Sequence, residues 1–182
     1  LWSPDLLRIY DEFYRRLADE LGSKITFLRL AMPSEYGEVG YCAGMTKWLR
    51  PQEYAQPGYW CGDPFAADDF KQRMLNRYKT LKKINSAWGT DYKSSDAVRM
   101  PNPKEIQGQF DRPESRQHWV DFVDWYNESW ALRIEQLVHI VRRHFPDQQI
   151  VLSLGYGSER ACYGNDQGRY VQLMHRLAVV CQ

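Results

Sequence analysis

Apolar residues recur near the start of the chain at the spacing of an α-helix: Leu6, Tyr10, Phe13, Tyr14, Leu17 and Leu21 share one side. Ser3-Pro4-Asp5 reads as its start, with a hydroxyl cap, Pro at the first helical position and an acid facing the helix dipole; Gly22 ends it. Lys24 to Ala31 is a short apolar, β-branched strand. Residues 42–67 keep no period and hold Gly44, Pro51, Pro57, Gly58, Gly62 and Pro64. A loop of that length is functional or disordered. Trp48, Tyr54, Tyr59, Trp60 and Phe65 point to order, because disordered segments are poor in aromatics.

From Asp68 a helix carries Phe70, Met74, Tyr78 and Leu81 on one face, with Ile84 and Trp88 beyond, until Gly89-Thr90 breaks the pattern. Pro101, Pro103, Gly108 and Pro113 mark a second loop region. The clearest helix runs from about Ser115 to Phe145, its stripe formed by Trp119, Phe122, Val123, Tyr126, Trp130, Ile134, Leu137, Val138 and Val141. Arg142, Arg143 and His144 suit its carboxyl end, and Pro146 stops it. Gln149 to Leu154 is a second strand, Gln167 to Leu177 a last helix, and Ala178-Val179-Val180 opens a third strand.

Alternation of helices and strands predicts an α/β fold with a parallel sheet. The two complete strands read as continuous apolar runs, as if helices covered both faces. There is no Gly-x-Gly-x-x-Gly turn and no Gly-Lys-[Ser/Thr] loop, so nucleotide-binding versions of the fold lose support and no cofactor is expected. The four cysteines (Cys42, Cys61, Cys162, Cys181) lack metal-ligand spacing and read as free thiols, with a Cys42–Cys61 bridge as the alternative. No metal is expected.

Composition adds one anomaly. Lys and Arg total 24 against 23 acids, so no field points to nucleic acid or an acidic membrane surface, and no apolar run is long enough to span a bilayer. Aromatics, however, reach 14%, with seven Trp and twelve Tyr. The periodic ones belong to the core. The remainder gather after the first strand.

Both strands run into Gly, Tyr and Glu: Glu35-Tyr36-Gly37-Glu38 after the first, Gly155-Tyr156-Gly157-Ser158-Glu159 after the second. In parallel α/β folds ligands sit at the carboxyl ends of strands. Carboxylates beside aromatics there suit sugar chemistry: one acid protonates the glycosidic oxygen, another carboxylate attacks or activates water, and rings stack on the sugar. The plainer alternative is that Glu35, Glu38 and Glu159 cap helices or pair with arginines, Glu159 with Arg160 or Arg169.

Two strings sharpen the choice. Gly37-Glu38-Val39-Gly40-Tyr41 resembles the acid motif of family 14 glycoside hydrolases, the β-amylases, with Cys42 where that family has Pro. Asp69-Phe70, Arg77-Tyr78, Leu81, Asn85 and Ala87-Trp88-Gly89-Thr90 resemble the family 42 β-galactosidases, with Lys79 in place of the usual Gly, and Ser34-Glu35-Tyr36-Gly37 partly matches that family's acid/base motif. The resemblance implies a partial (β/α)8 TIM barrel of about strands 4 to 6 with their helices and a long β4-α4 excursion. A whole barrel takes about 250 residues, so a single partial catalytic domain over 1–182 is expected. Within it, 1–22 is the helix before strand 4, 25–41 strand 4 and its acid/base loop, and 42–114 the excursion. Residues 115–145 are then a helix and 149–182 run from strand 5 onward. Strands 1–3 and 7–8 would lie outside the chain, which begins at Leu1 rather than Met; localisation, cytoplasmic or secreted, stays open.

The implied function is β-galactosidase-like hydrolysis of O-glycosidic bonds, with the second carboxylate outside this chain and the chain alone inactive. The alternative is a catalytically inactive, carbohydrate-binding relative. The acid/base is Glu38 on the family 14 alignment or Glu35 on the family 42 alignment; Tyr41 and the preceding Gly favour Glu38. Tyr41, Trp60, Asp63, Tyr156 and Glu159 are the candidate substrate-binding residues, Trp60 as a stacking platform and Asp63 as a hydroxyl acceptor. A carbohydrate is the expected partner, with nucleic acid and membrane excluded.

Overall fold

The structure, a computed structural model, describes residues 1–30, 61–102, 112–154 and 166–181. Helix α1 (Asp5–Leu21) leads through a short 3-10 turn into strand β1 (Phe27–Leu30). Then come α2 (Pro64–Tyr78), α3 (Leu81–Trp88), the long α4 (Pro113–His144), β2 (Gln149–Leu152), α5 (Gln167–Arg176) and β3 (Val180–Cys181). The three strands of the described residues form one sheet in the order β1-β2-β3, parallel throughout. Phe27 pairs with Gln149, Leu30 with Leu152 and Val151 with Val180.

The chain divides into two compact units. One comprises Leu1, the chain from Ser3 through β1 and everything from Asn127 onward; the other comprises Trp2 and Cys61–Tyr126. The first unit holds the sheet. Its core gathers Leu28, Leu30, Ile150 and Leu152 from the strands, Ile134, Leu137, Val138 and Val141 from α4, and Tyr170, Leu173 and Met174 from α5. Arg142 joins the turn that leads into β2 to the turn that leads into β3, donating to the carbonyls of Gln148 (2.8 Å), Pro146 (3.4 Å) and Ala178 (3.3 Å). The second unit is helical, built on Phe70, Met74, Ile84, Trp88, Phe122, Trp125 and Tyr126. Trp2 stacks on Trp125 with ring centroids 5.0 Å apart.

Four sequence expectations change. Among the described residues the strands are covered on one face only. Burial alternates along β1, with Leu28 and Leu30 inside and Phe27 and Arg29 exposed, so one sheet face is open among the described residues. The α1 stripe is only partly covered among the described residues: Leu6, Tyr10, Tyr14 and Leu17 are half-buried, whereas Phe13 is 55% and Leu21 41% exposed. Ser3 does not cap α1 through its hydroxyl; Pro4 takes the cap position and the first turn closes on the Ser3 carbonyl, which accepts from Leu6 N–H. The single helix expected from Asp68 onward is two, since Lys79 turns left-handed (φ 66°) and Thr80 caps α3 by accepting from Lys83 N–H. Of the cysteines, Cys61 is a free, buried thiol, so no bridge joins it to Cys42; burial, then the nearby Asp63 carboxylate, pushes it up to about 12.

Candidate active site

Strand β1 and strand β2 run parallel and in register to the same edge, with Leu30 opposite Leu152. The segment bearing Glu35, Glu38 and Tyr41 follows the first strand in sequence, and the segment bearing Tyr156 and Glu159 follows the second. Glu35, Glu38, Tyr41, Trp60, Tyr156 and Glu159 themselves lie outside the described residues. At the edge from which both segments depart, Arg29 on β1 donates from Nε to Ser153 Oγ at 3.0 Å. Ser153 is 4% exposed. Neither residue stood out in the sequence, because a lone Arg in a strand and a Ser after one carry no motif.

Asp63 is the one candidate within the described residues. It sits at the N-cap of α2 in extended backbone, ahead of Pro64, and Oδ1 accepts from Ala66 N–H at 3.0 Å. That arrangement follows from sequence: an acid, then Pro at the first helical position, is a strong helix start.

The string Asn85-Ser86-Ala87-Trp88-Gly89-Thr90 resolves into two constructions. In the first, the Asn85 amide binds the chain that follows α3. Its Oδ1 accepts from Thr90 Oγ1 and Tyr92 N–H, each at 2.9 Å, and its Nδ2 donates to the Tyr92 carbonyl at 2.9 Å. Gly89 makes the turn with φ +64°, and a Cβ placed there would meet Glu114 Cβ at 3.1 Å. Both the left-handed backbone and the close approach select glycine.

The second construction centres on Asp121, fully buried on α4. Its carboxylate accepts from Tyr78 Oη (2.5 Å), Trp88 Nε1 (2.7 Å) and Gln117 Nε2 (2.9 Å), and Arg77 Nη1 lies 3.4 Å away. Donors from α2, α3 and α4 thus converge on one anion. Burial, then the Asp121 carboxylate, pushes the Tyr78 hydroxyl up to about 12. His118 stacks on Trp88 at 4.0 Å and 13°, with Nε2 3.0 Å from the Arg99 carbonyl. Its burial holds the imidazole below its ordinary pKa despite that carbonyl and Asp121. Trp88 is therefore a core residue whose ring faces are taken by His118 and Phe70. Asp121 escaped the sequence reading, although a carboxylate set between His118 and Phe122 on an otherwise apolar face is a visible signal. A cavity of about 630 Å³ opens beside this knot, lined in part by Tyr92, Arg99, Arg112, Glu114 and His118.

Among the described residues no group of three or more His, Cys, Asp or Glu is placed to hold a metal ion, and no helix is long and apolar enough to cross a membrane.

Comparison with known proteins is decisive at the level of family. The family model described as beta-galactosidase, glycoside hydrolase family 42, matches residues 11–166. The chain belongs to glycoside hydrolase family 42. Its match begins within α1, at residue 11, and takes in β1, β2 and both constructions of the Asn85–Thr90 string. This family 42 chain is also 22% identical over 153 residues to a thermophilic beta-amylase of Thermoanaerobacterium thermosulfurigenes, covering 79% of this chain and 26% of that protein. In structure it resembles the catalytic domain of beta-amylase from Paenibacillus polymyxa, with a TM-score of 0.71 at 21% identity over 98% of this chain and 46% of the other. The chain thus has a TIM-barrel-related fold and spans less than half the length of either relative. The resemblance to both families, drawn from short strings, holds.

Proposed function

We propose that this family 42 chain is the acid/base-bearing section of a glycosidase barrel, its described strands corresponding to barrel strands 4 to 6 and the whole of 1–182 to one partial catalytic domain. The observation that carries the reading is the coincidence of the two acid motifs with the carboxyl end of β1, inside the stretch the family model matches. The register of β1 and β2 supports it, since the chain leaves Leu30 toward Glu35 and Glu38 from the same edge at which β2 ends.

On this reading Glu38, or Glu35 in its stead, donates a proton to the glycosidic oxygen as the bond to the anomeric carbon breaks. A second carboxylate, supplied by chain outside these 182 residues, attacks that carbon or takes a proton from the attacking water. A carboxylate separation near 5 Å would make the enzyme retaining, and one of about 6.5–9.5 Å inverting. Trp60 stacks on a sugar ring, while Tyr41, Tyr156 and Glu159 meet its hydroxyls. Asp63 accepts from a sugar hydroxyl through its second carboxylate oxygen, its Oδ1 being taken by Ala66 N–H at the start of α2. The substrate is a carbohydrate, with a β-galactoside the first to try.

The test is hydrolysis of an aryl β-galactoside and an aryl maltoside by the protein carrying the complete barrel, with Glu38→Gln and Glu35→Gln beside the parent. Loss of a general acid costs about 10²–10⁴-fold, and that loss is expected for Glu38→Gln and a smaller one for Glu35→Gln. Near-parental turnover by both variants removes the assignment. Sugar binding without turnover by the parent leaves the inactive, carbohydrate-binding alternative.

A further inference from the structure

The alternation along β1 sends Leu28 and Leu30 to the covered face of the sheet and Phe27 and Arg29 to the open one. Gln149 lies opposite Phe27 in the register and is exposed as well, and Val151, half-buried, lies opposite Arg29. The open face therefore presents an aromatic ring, a planar amide and a guanidinium. That set joins an apolar surface to planar polar groups, the combination that a sugar ring with its C–H face and its hydroxyls requires. Arg29 is nearest the carboxyl edge of the three, about 6.6 Å beyond Phe27 along the strand. Its guanidinium is oriented by the bond from Nε to Ser153 Oγ, at 3.0 Å, across to the chain that follows β2. That bond engages Nε alone, and among the described residues no carboxylate pairs with the two Nη groups.

A cation enclosed by a closed barrel needs anionic or hydroxyl partners, since burying it unpaired is costly. We infer that Arg29, oriented by Ser153, is a substrate-contacting residue on the floor of the carbohydrate site, where its Nη fork donates to hydroxyl oxygens of one sugar unit and so sets which hydroxyl pattern is accepted. Phe27 and Gln149 close the floor beneath it. The inference rests on the carbohydrate reading of the site for the class of ligand, and equally serves the enzyme and its inactive alternative.

The experiment is calorimetric binding of galactose, its monodeoxy derivatives and maltose to the protein carrying the complete barrel. Arg29→Met, Arg29→Lys and Ser153→Ala are compared with the parent, each first checked for a parental thermal transition. The parent is expected to bind galactose or maltose, and to bind at least one deoxy sugar tenfold or more weakly than galactose. Arg29→Met is expected to bind galactose at least tenfold more weakly and to lose the discrimination at that hydroxyl. Arg29→Lys keeps the charge but not the fork, and an intermediate loss with reduced discrimination is expected. Should Arg29→Met not fold, Arg29→Lys alone decides. Ser153→Ala is expected to weaken binding a few-fold by freeing the guanidinium. Affinity and hydroxyl discrimination in the folded Arg29 variants within twofold of the parent overturn the inference, including the case in which only their thermal stability falls. A parent that binds neither sugar overturns the carbohydrate reading and this inference together.

Discussion

Lys79 is a long, charged side chain where the backbone asks for glycine. It closes α2 with φ 66° while its N–H donates to the Leu75 carbonyl at 2.8 Å, and the resemblance to family 42 marks the position as one where relatives have Gly. A left-handed residue with a Cβ costs about 1–2 kcal/mol, whereas glycine's extra unfolded-state freedom costs about 0.5–1 kcal/mol. Strain relief wins: Lys79→Gly is expected to stabilise the chain by about 0.5–1 kcal/mol, read as a higher urea midpoint with unchanged slope. His118 gives a pH signature of definite sign. Its imidazole, buried against Trp88, titrates below the ordinary histidine value of 6.5, so the native state favours the neutral ring. The stabilisation is complete above pH 6.5 and is lost as pH falls through the lowered value. Urea midpoints followed by tryptophan fluorescence should drop between pH 8 and 5 in the parent, and drop less in His118→Gln.

Between α2, α3 and α4, stability concentrates on one carboxylate. Asp121→Ala leaves the Tyr78 hydroxyl and the Trp88 indole N–H without their acceptor inside the second unit. Removing one partner of a buried, charged network costs about 3–5 kcal/mol, enough to consume much of a domain's stability, and a fall of that size in the denaturant midpoint is expected. Asp121→Asn, which retains one acceptor oxygen, should lie between. The elements themselves were largely legible, because periodicity alone reports amphipathic burial. The α4 stripe from Phe122 through Tyr126 and Trp130 to Val141 is buried as its spacing required. Trp125, off that stripe, is equally buried because α4 is enclosed on more than one side there, and its Nε1 reaches Asp69 at 2.7 Å. The break at Lys79 was illegible for a physical reason: lysine is a good helix former and the apolar period runs on through Leu81, Ile84 and Trp88. Arg29 and Ser153 were illegible because cross-strand register, which joins them, is absent from local sequence.

At the scale of the whole chain the open surfaces matter. Ile9 and Phe13 on α1, Phe27 on the sheet, Leu132 on α4 and Val171 on α5 are all more than 40% exposed. In isolation the 182-residue chain is expected to self-associate, with a sedimentation coefficient that rises with concentration, and Phe13→Glu with Phe27→Lys should reduce the effect. A monomeric chain with one cooperative unfolding transition would refute that. The parallel sheet and its helices were foreseeable from alternation, but the open face of β1 was not, since an apolar run looks the same whether one side or both are covered. Finally, the Asn85–Thr90 string ties its own loop with one amide, seats a left-handed glycine where a Cβ would press on Glu114, and offers Trp88 to a buried acid. Every part of it answers to folding. Any relative that keeps these contacts needs the string to remain folded whatever its activity, so genome surveys that count enzymes by this signature tally inherited architecture, and activity has to be scored separately.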